Sequence, residues 1–494
     1  MSVNGDRTGL RLHCTSSTKE AMKSSRIEHR AIDYIPETER HGVARSLFFV
    51  WFAANTSITA VVTGALFVIL GNSALWAIPA VIIGNILGGF VTALHSAQGP
   101  KLGVPQMIQS RAQFGYYGAI LPLVLSLIIY LGFYATGLVL GGQAIGDLLH
   151  VPVQAGATIF ALLSTTLAIF GYRYIHKFSK IATALSAAVF VVLFIRILTA
   201  PDAAALIQQT DFAIGPFVLG ISLAASWQLT FGPYIADYSR YLPKNTSQRA
   251  TMGWTFAGSV IGGSLAMILG ALGAAIGGHS FNTNQVGYLA NLGAGFAWLV
   301  LLAVICGKLT GNTLSTYGGF MSLATIVTAV TRREIITGKA RTGYIVLISA
   351  AALSIALAAS DNFLGAFTNF LLFLLYFMTP WSAINLVDFY FVRKEKYNVA
   401  ALFEPDGEYG RISWTAIAAY AAGILIQIPF MNSPLYVGPV AEWLGGAEIA
   451  WLIGLAVSGG LYYLFAPARK APPYSTRPAV DEQPEAAAMT RPSI

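Results

Sequence analysis

Lys308, Asn312, Ser315 and Thr316 recur at three- and four-residue spacing within an apolar run, so on a helix they form one stripe. Hydroxyl and amide oxygens are hard, neutral donors that ligate Na+ while leaving it exchangeable, and an asparagine amide is equally suited to reading the edge of a heterocycle. The plainer alternative is that the serine and threonine bond back to their own helix. A lysine at that depth costs at least ~2.5 kcal/mol unless paired or hydrated, so Lys308 must face the interior or reach water. It admits two readings: a substrate or coupling role, including that of a fixed cation that modifies dependence on Na+, or a structural pair with a carboxylate.

Two further apolar runs are interrupted. One carries Ala53, Ala54, Asn55, Thr56 and Ser57, and the other Ser226, Trp227, Gln228, Thr230, Gly232 and Pro233, where proline removes a helix hydrogen bond. In hydrocarbon each unpaired backbone group costs several kcal/mol, so a broken helix survives only where it is buried or lines a cavity. Carbonyls freed there could ligate a cation; packing by small polar residues is the competing explanation. Phe133, Tyr134 and Trp227 are candidates for stacking on a planar ring. Asp237 and Arg240, closing the second broken run, are suited to capping and anchoring a hinge. No catalytic triad, nucleotide loop or HExxH helix occurs, so an enzyme is not expected. Cys14 and Cys306 are the two cysteines, one in a polar tail and one in an apolar run, and no metal-ligand spacing accompanies them.

The elements that must hold these residues are membrane spans. Of the 494 residues 55% are hydrophobic and 11% charged, with a mean hydropathy of +0.63, which makes a bilayer the natural solvent. Twelve apolar stretches begin at Ser46, Leu75, Ala119, Val153, Ile181, Phe212, Met252, Gly295, Tyr344, Phe363, Ile412 and Ile449. With the N-terminus in the cytoplasm, 28 of the 30 Lys and Arg fall in cytoplasmic segments, so the net charge of +8 reflects membrane orientation rather than nucleic-acid binding. Both termini are therefore expected in the cytoplasm, and no apolar signal region precedes Leu47. Segments 1–45 and 467–494 read as largely disordered tails, 46–199 and 212–390 as two five-span halves, and 412–466 as two peripheral spans. Trp51 and Trp227 lie 176 residues apart, and Gly84xxxGly88 and Gly258xxxGly262 lie 174 apart, an echo that suits two halves of opposite orientation.

Four stretches carry a family resemblance: Trp51–Asn55 (WFAAN), Gly103–Gly115 (GVPQMIQSRAQFG), Ala236–Pro243 (ADYSRYLP) and Trp381–Tyr390 (WSAINLVDFY). Together they are similar to the purine/cytosine permease branch of the nucleobase:cation symporter family. The resemblance implies an all-α membrane protein with a LeuT-like inverted repeat of five plus five helices and two peripheral helices. It implies that Ala53, Thr56, Asn312, Ser315 and Thr316 hold Na+, and that Asn55, Phe133, Ser226, Trp227, Gln228 and Asn312 bind substrate. Phe133, where relatives often have Trp, Gly137, where they often have a polar amide, and Lys308 depart from the family pattern and bear on substrate identity and on whether Na+ or H+ is the coupling ion. The expected function is import of a nucleobase across the plasma membrane by cation symport, with no other cofactor and no obligate protein partner. Another heterocycle or amine (hydantoin, allantoin, thiamine, an amino acid) is the alternative cargo, and a channel or non-transporting sensor the alternative class.

Overall fold

The computed structural model describes residues 33–466 except 171, 204–205, 207–209 and 332–337, with side chains left out for 172–181. Of the tails expected at 1–45 and 467–494, residues 1–32 and 467–494 lie outside the described residues, while 33–45 are described and include a 3-10 turn at Glu37–Glu39. The first expected span is two helices, α1 (Ser46–Asn55) and α2 (Ile58–Ile69), bent by 57° at Thr56–Ser57. Extended Ser57 starts α2, its hydroxyl accepting the Ala60 amide. Helices α3 (Ala74–Ser96), α4 (Gln106–Phe114), α5 (Ile120–Leu149), α6 (Val153–Phe170) and α7 (Tyr172–Leu198) complete the first half.

The sixth span is likewise broken, into α8 (Ile214–Leu229) and α9 (Gly232–Ser239), bent by 40°. Pro233 stands in the first turn of α9, where its missing N–H costs least, so the break falls just before it at Thr230–Phe231. Then follow α10 (Gln248–Gly277), α11 (Ala297–Thr331), α12 (Gly338–Ala359), α13 (Phe363–Val387), α14 (Trp414–Gln427) and α15 (Ala450–Phe465). Among the described residues, six helical stretches are long and apolar enough to cross a membrane by themselves, or eight when each bent pair counts as one. One of these, Gly338–Val392, is α12 and α13 joined through a 3-10 turn at Ser360–Asn362.

The paired glycines show how the halves fit. A Cβ at Gly84 or Gly88 of α3 would overlap backbone of Ile221 or Ala225 in α8, and one at Gly258 or Gly262 of α10 would crowd backbone of Phe48 or Phe52 in α1. Helix α3 therefore rests on the sixth span as α10 rests on the first, the exchange that an inverted repeat requires.

Three of the four quoted family stretches meet at the end of the bundle rich in Lys and Arg, and the fourth touches them through Trp51, whose ring meets Tyr238 edge to face with centroids 5.3 Å apart. Helix α4, buried along its whole length, is capped by Asp237 Oδ1, which accepts the Gln106 amide at 2.7 Å. Trp381 Nε1 donates to Ser110 Oγ at 3.0 Å, and Gln113 Nε2 donates to Asp388 Oδ2 at 2.8 Å. Asp388 also accepts from the Tyr397 and Tyr462 hydroxyls and pairs with Arg393 at 3.1 Å. Inside this knot His95 lies flat on Trp381, its ring nitrogens 3.0 Å from Asn385 Oδ1 and 3.1 Å from Ser382 Oγ.

Candidate functional site

At the first break the Ser57 amide bonds to Asn55 O instead of reaching back to Ala53 O. Ala53 O thereby loses its helical donor and is free for another partner. Thr56 Oγ1 donates to Phe52 O at 2.8 Å, and Ala53 and Thr56 are partly exposed. In α11, Thr316 Oγ1 donates to Asn312 O at 2.8 Å, and Ser315 is partly exposed. Both threonines hold local bonds to their own helices, while their oxygens keep lone pairs for a cation.

Asn55 and Gln228, adjoining the two breaks, face each other in a fully buried polar cluster with two residues the sequence had not singled out. Asn55 Nδ2 donates to Ser259 Oγ at 2.9 Å, and Gln228 Nε2 donates to Asn85 Oδ1 at 2.6 Å. Ser259 Oγ closes the set by donating to Gln228 Oε1 at 2.5 Å, and Trp227 Nε1 donates to Asn55 Oδ1 at 2.8 Å. Asn85 and Ser259 each follow the first glycine of a GxxxG pair, so the repeat spacing was the signal that could have found them. Ser226 points elsewhere, donating to Leu371 O of α13 at 2.5 Å.

Phe133 is partly exposed and meets Trp227 edge to face, with centroids 5.7 Å apart, and Phe370 likewise at 5.4 Å. Phe133 and Trp227 thus touch rather than leaving a slot, so a planar ligand would part them or lie against one face. Tyr134 turns away, its hydroxyl 3.0 Å from Ser164 Oγ and 3.2 Å from Ser349 Oγ.

Asn312 is fully buried and neither of its amide atoms has a hydrogen-bond partner. One turn away Lys308 Nζ donates to Thr59 Oγ1 at 2.8 Å, joining α11 to α2. Among the described residues no carboxylate pairs with it, so the structural pairing considered from the sequence is met by a hydroxyl alone. Gly137 faces both side chains: a Cβ there would overlap Asn312 Oδ1 and lie 2.8 Å from Lys308 Cε. Two of the departures from the family pattern, Gly137 and Lys308, therefore belong to one spot.

Arg240, 3% exposed, reaches Asp33 O at 3.3 Å and stacks over Tyr241. Together with Asp237 on α4, it ties the end of α9 to neighbouring segments at the basic end.

A family model described as "Permease for cytosine/purines, uracil, thiamine, allantoin" matches residues 34–454. The chain belongs to this permease family. A putative purine-cytosine permease of Bacillus subtilis, YxlA, is 41% identical over 439 residues, covering 89% of this chain and 96% of that protein. The purine-cytosine permease fcyB of Emericella nidulans is 25% identical over 468 residues, covering 89% and 88% of the two chains. Among solved structures, inward-facing Mhp1 superposes with a TM-score of 0.72 at 17% identity, over 89% of this chain and 93% of its own. Mhp1 closed around bromovinylhydantoin gives 0.67, also at 17% identity, over 90% and 97%. The permease is an integral membrane transporter of small molecules with many spans, not an enzyme, and its fold is the LeuT-like inverted repeat expected from the sequence.

Proposed function

We propose that this permease imports a nucleobase of the cytosine/purine type by cation symport, through alternating access, across the plasma membrane with both termini in the cytoplasm. The observation that carries the reading is the pair of bends, 57° in the first span and 40° in the sixth, at matching places of the two halves. Helix ends exposed in mid-membrane supply fixed dipoles and free carbonyls where nothing else in hydrocarbon can hold an ion. The cation, Na+ or H+, is assigned to the gap between Ala53 and Thr56 on one side and Asn312, Ser315 and Thr316 on the other. The substrate lies against Phe133 and Trp227 within reach of Asn312, with Asn55, Ser226 and Gln228 holding the breaks in shape. Units 46–199 and 212–390 act as the repeats, 412–466 stays peripheral, and Asp237 and Arg240 anchor the hinge end of α9.

The names of relatives agree with this cargo, and one solved neighbour is described as a Na+-coupled sialic acid symporter. A second reading, transport of another small heterocycle, draws on the hydantoin bound in closed Mhp1. Uptake of radiolabelled cytosine, adenine, hypoxanthine, uracil and allantoin into proteoliposomes, with and without a Na+ or proton gradient, tests both. Saturable uptake of a base that collapses without one gradient is expected, and Asn312→Ala should abolish it in correctly inserted protein. Gradient-independent passage of ions without substrate would instead indicate a channel.

A further inference from the structure

The ion ligands and the aromatic wall leave Lys308 unused. It is 9% exposed, its ammonium carries three donors and a full charge, and its one hydrogen bond, to the Thr59 hydroxyl, occupies one donor and neutralises nothing. A buried charge without a counter-charge is held at a cost of several kcal/mol unless something brought to it supplies the opposite sign. Asn312, one turn along the same stripe, keeps both amide atoms unpartnered at zero exposure, another group whose desolvation is unrecovered within the protein. Helix α5 withdraws its own side chain where these two converge, because only a glycine fits at 137. One turn farther along α5 toward the basic end stands Phe133, the partly exposed ring of the site. An aromatic face, an amide with free N–H and C=O, and an ammonium with spare donors thus follow one another over about one helical turn on two packed helices.

We propose that this site selects a planar heterocycle whose edge is anionic or carries adjacent carbonyl oxygens, an oxidised purine rather than an amine-bearing base. The acceptor edge meets Lys308 Nζ and Asn312 Nδ2 while the ring lies on Phe133. An exocyclic amine turned to the same corner could be accepted by Asn312 Oδ1 but would set donor against donor at Lys308, whose charge would still lack a counter-charge. The negative edge would stand between the ammonium on one side and the coupling cation on the other, so each charge is compensated in the loaded state. Thr59 gains a role as well: by holding the ammonium it ties the loaded corner of α11 to α2, just beyond the first break. The inference rests on the reading of this place as the substrate site.

The test uses the full-length protein in proteoliposomes and in detergent, with urate, a monoanion at neutral pH, and adenine and cytosine as neutral probes. Uptake, competition and ligand-induced thermal stabilisation are measured for each. Urate is expected to bind at least about tenfold better than either neutral base, a preference worth ~1.4 kcal/mol. Lys308→Met is expected to cut the ratio of urate to adenine affinity by about tenfold, and Lys308→Arg to restore part of it. Neutral bases bound with urate inert, or a ratio unchanged in Lys308→Met, would overturn the proposal and leave the nucleobase reading standing. Silence of all three probes would count against that reading and the proposal together. The competition in unmodified protein decides the matter even where the methionine variant does not fold.

Discussion

A methyl group added at Gly137 would overlap Asn312 Oδ1 and press on Lys308 Cε, between helices too closely packed to part. Overfilling of this kind typically costs about 1–3 kcal/mol, and here it also displaces the two side chains assigned to substrate. Gly137→Ala is therefore expected to lower the melting temperature by a few degrees and to weaken substrate binding by at least about tenfold. Thermal stabilisation by ligand, read beside the melting temperature of the empty protein, separates the two effects. Unchanged affinity would show that the Asn312 amide does not face the ligand. The stripe holding Asn312 was legible in the sequence because three- and four-residue spacing places four polar residues on one face of a helix, even though Thr316 also bonds back to its own helix. Asn85 and Ser259 were not, because one polar residue beside a glycine reads as helix packing, and only the partner across the bundle reveals a network. The partner of Lys308 was hidden for a similar reason: threonines are common in membrane helices, and nothing local marks Thr59 as the one that receives an ammonium.

Helix crossings make a symmetric prediction. Gly84 and Gly258 occupy equivalent places, each against the backbone of a broken span, so Gly84→Leu and Gly258→Leu should disrupt equivalent contacts. Both are expected to lower the melting temperature strongly and to similar extents, whereas leucine at Gly253, which has open space around it, should be tolerated. A large effect at one crossing only would deny their equivalence. The peripheral pair α14–α15 is joined to the core through another device. Glu448, in the connection before α15, accepts hydrogen bonds from the Tyr376 hydroxyl and from the Asn432 and Ala450 amides. Burial nevertheless pushes its carboxyl up to about 7. Because that value lies above the ordinary 4.5, the folded state holds the extra proton between the two. The contribution of Glu448 to stability is thus fullest below the ordinary value and is lost as pH rises through about 7. Melting curves of the protein and of Glu448→Gln should diverge by a few degrees across that window, the unmodified protein losing ground as pH rises. Parallel curves would mean that the carboxyl is not perturbed. Breaks and crossings could be read from Pro, Gly and the 174-residue spacing. The knot of α4 with α9 and α13 could not, because its polar residues leave no hydropathy pattern to show which connection folds onto which.

At the scale of the whole molecule the cluster of Asn55, Asn85, Gln228 and Ser259 fastens four spans to one another. Asn55 and Gln228 come from the two broken spans, Asn85 and Ser259 from α3 and α10; the Asn55–Ser259 and Gln228–Asn85 bonds join one half of the chain to the other, and Ser259–Gln228 ties α10 to the sixth span within the second half. Separating any of these helices would strand buried amides in hydrocarbon at several kcal/mol apiece, whereas Lys308 to Thr59 is a single bond between α11 and this group. On the proposed alternating-access reading, the four spans are therefore expected to move as one body against α5, α6, α11 and α12. Spin labels at Arg45→Cys and Arg249→Cys, both exposed ends of the proposed body, should keep their separation when Na+ and a bound base are added, in a background without Cys14 and Cys306. Labels at Arg249→Cys and Lys339→Cys span the body and α12, and should shift by several ångströms under the same conditions. Equal shifts in both pairs would mean that α1 bends away from α10 on its own. Asn85→Leu separates a pinned body from a merely adjacent one: with the short Gln228–Asn85 bond between the halves removed, the first pair of labels should broaden its distance distribution even without ligand, and a narrow distribution in that variant would show that this bond is not needed to hold the four spans together.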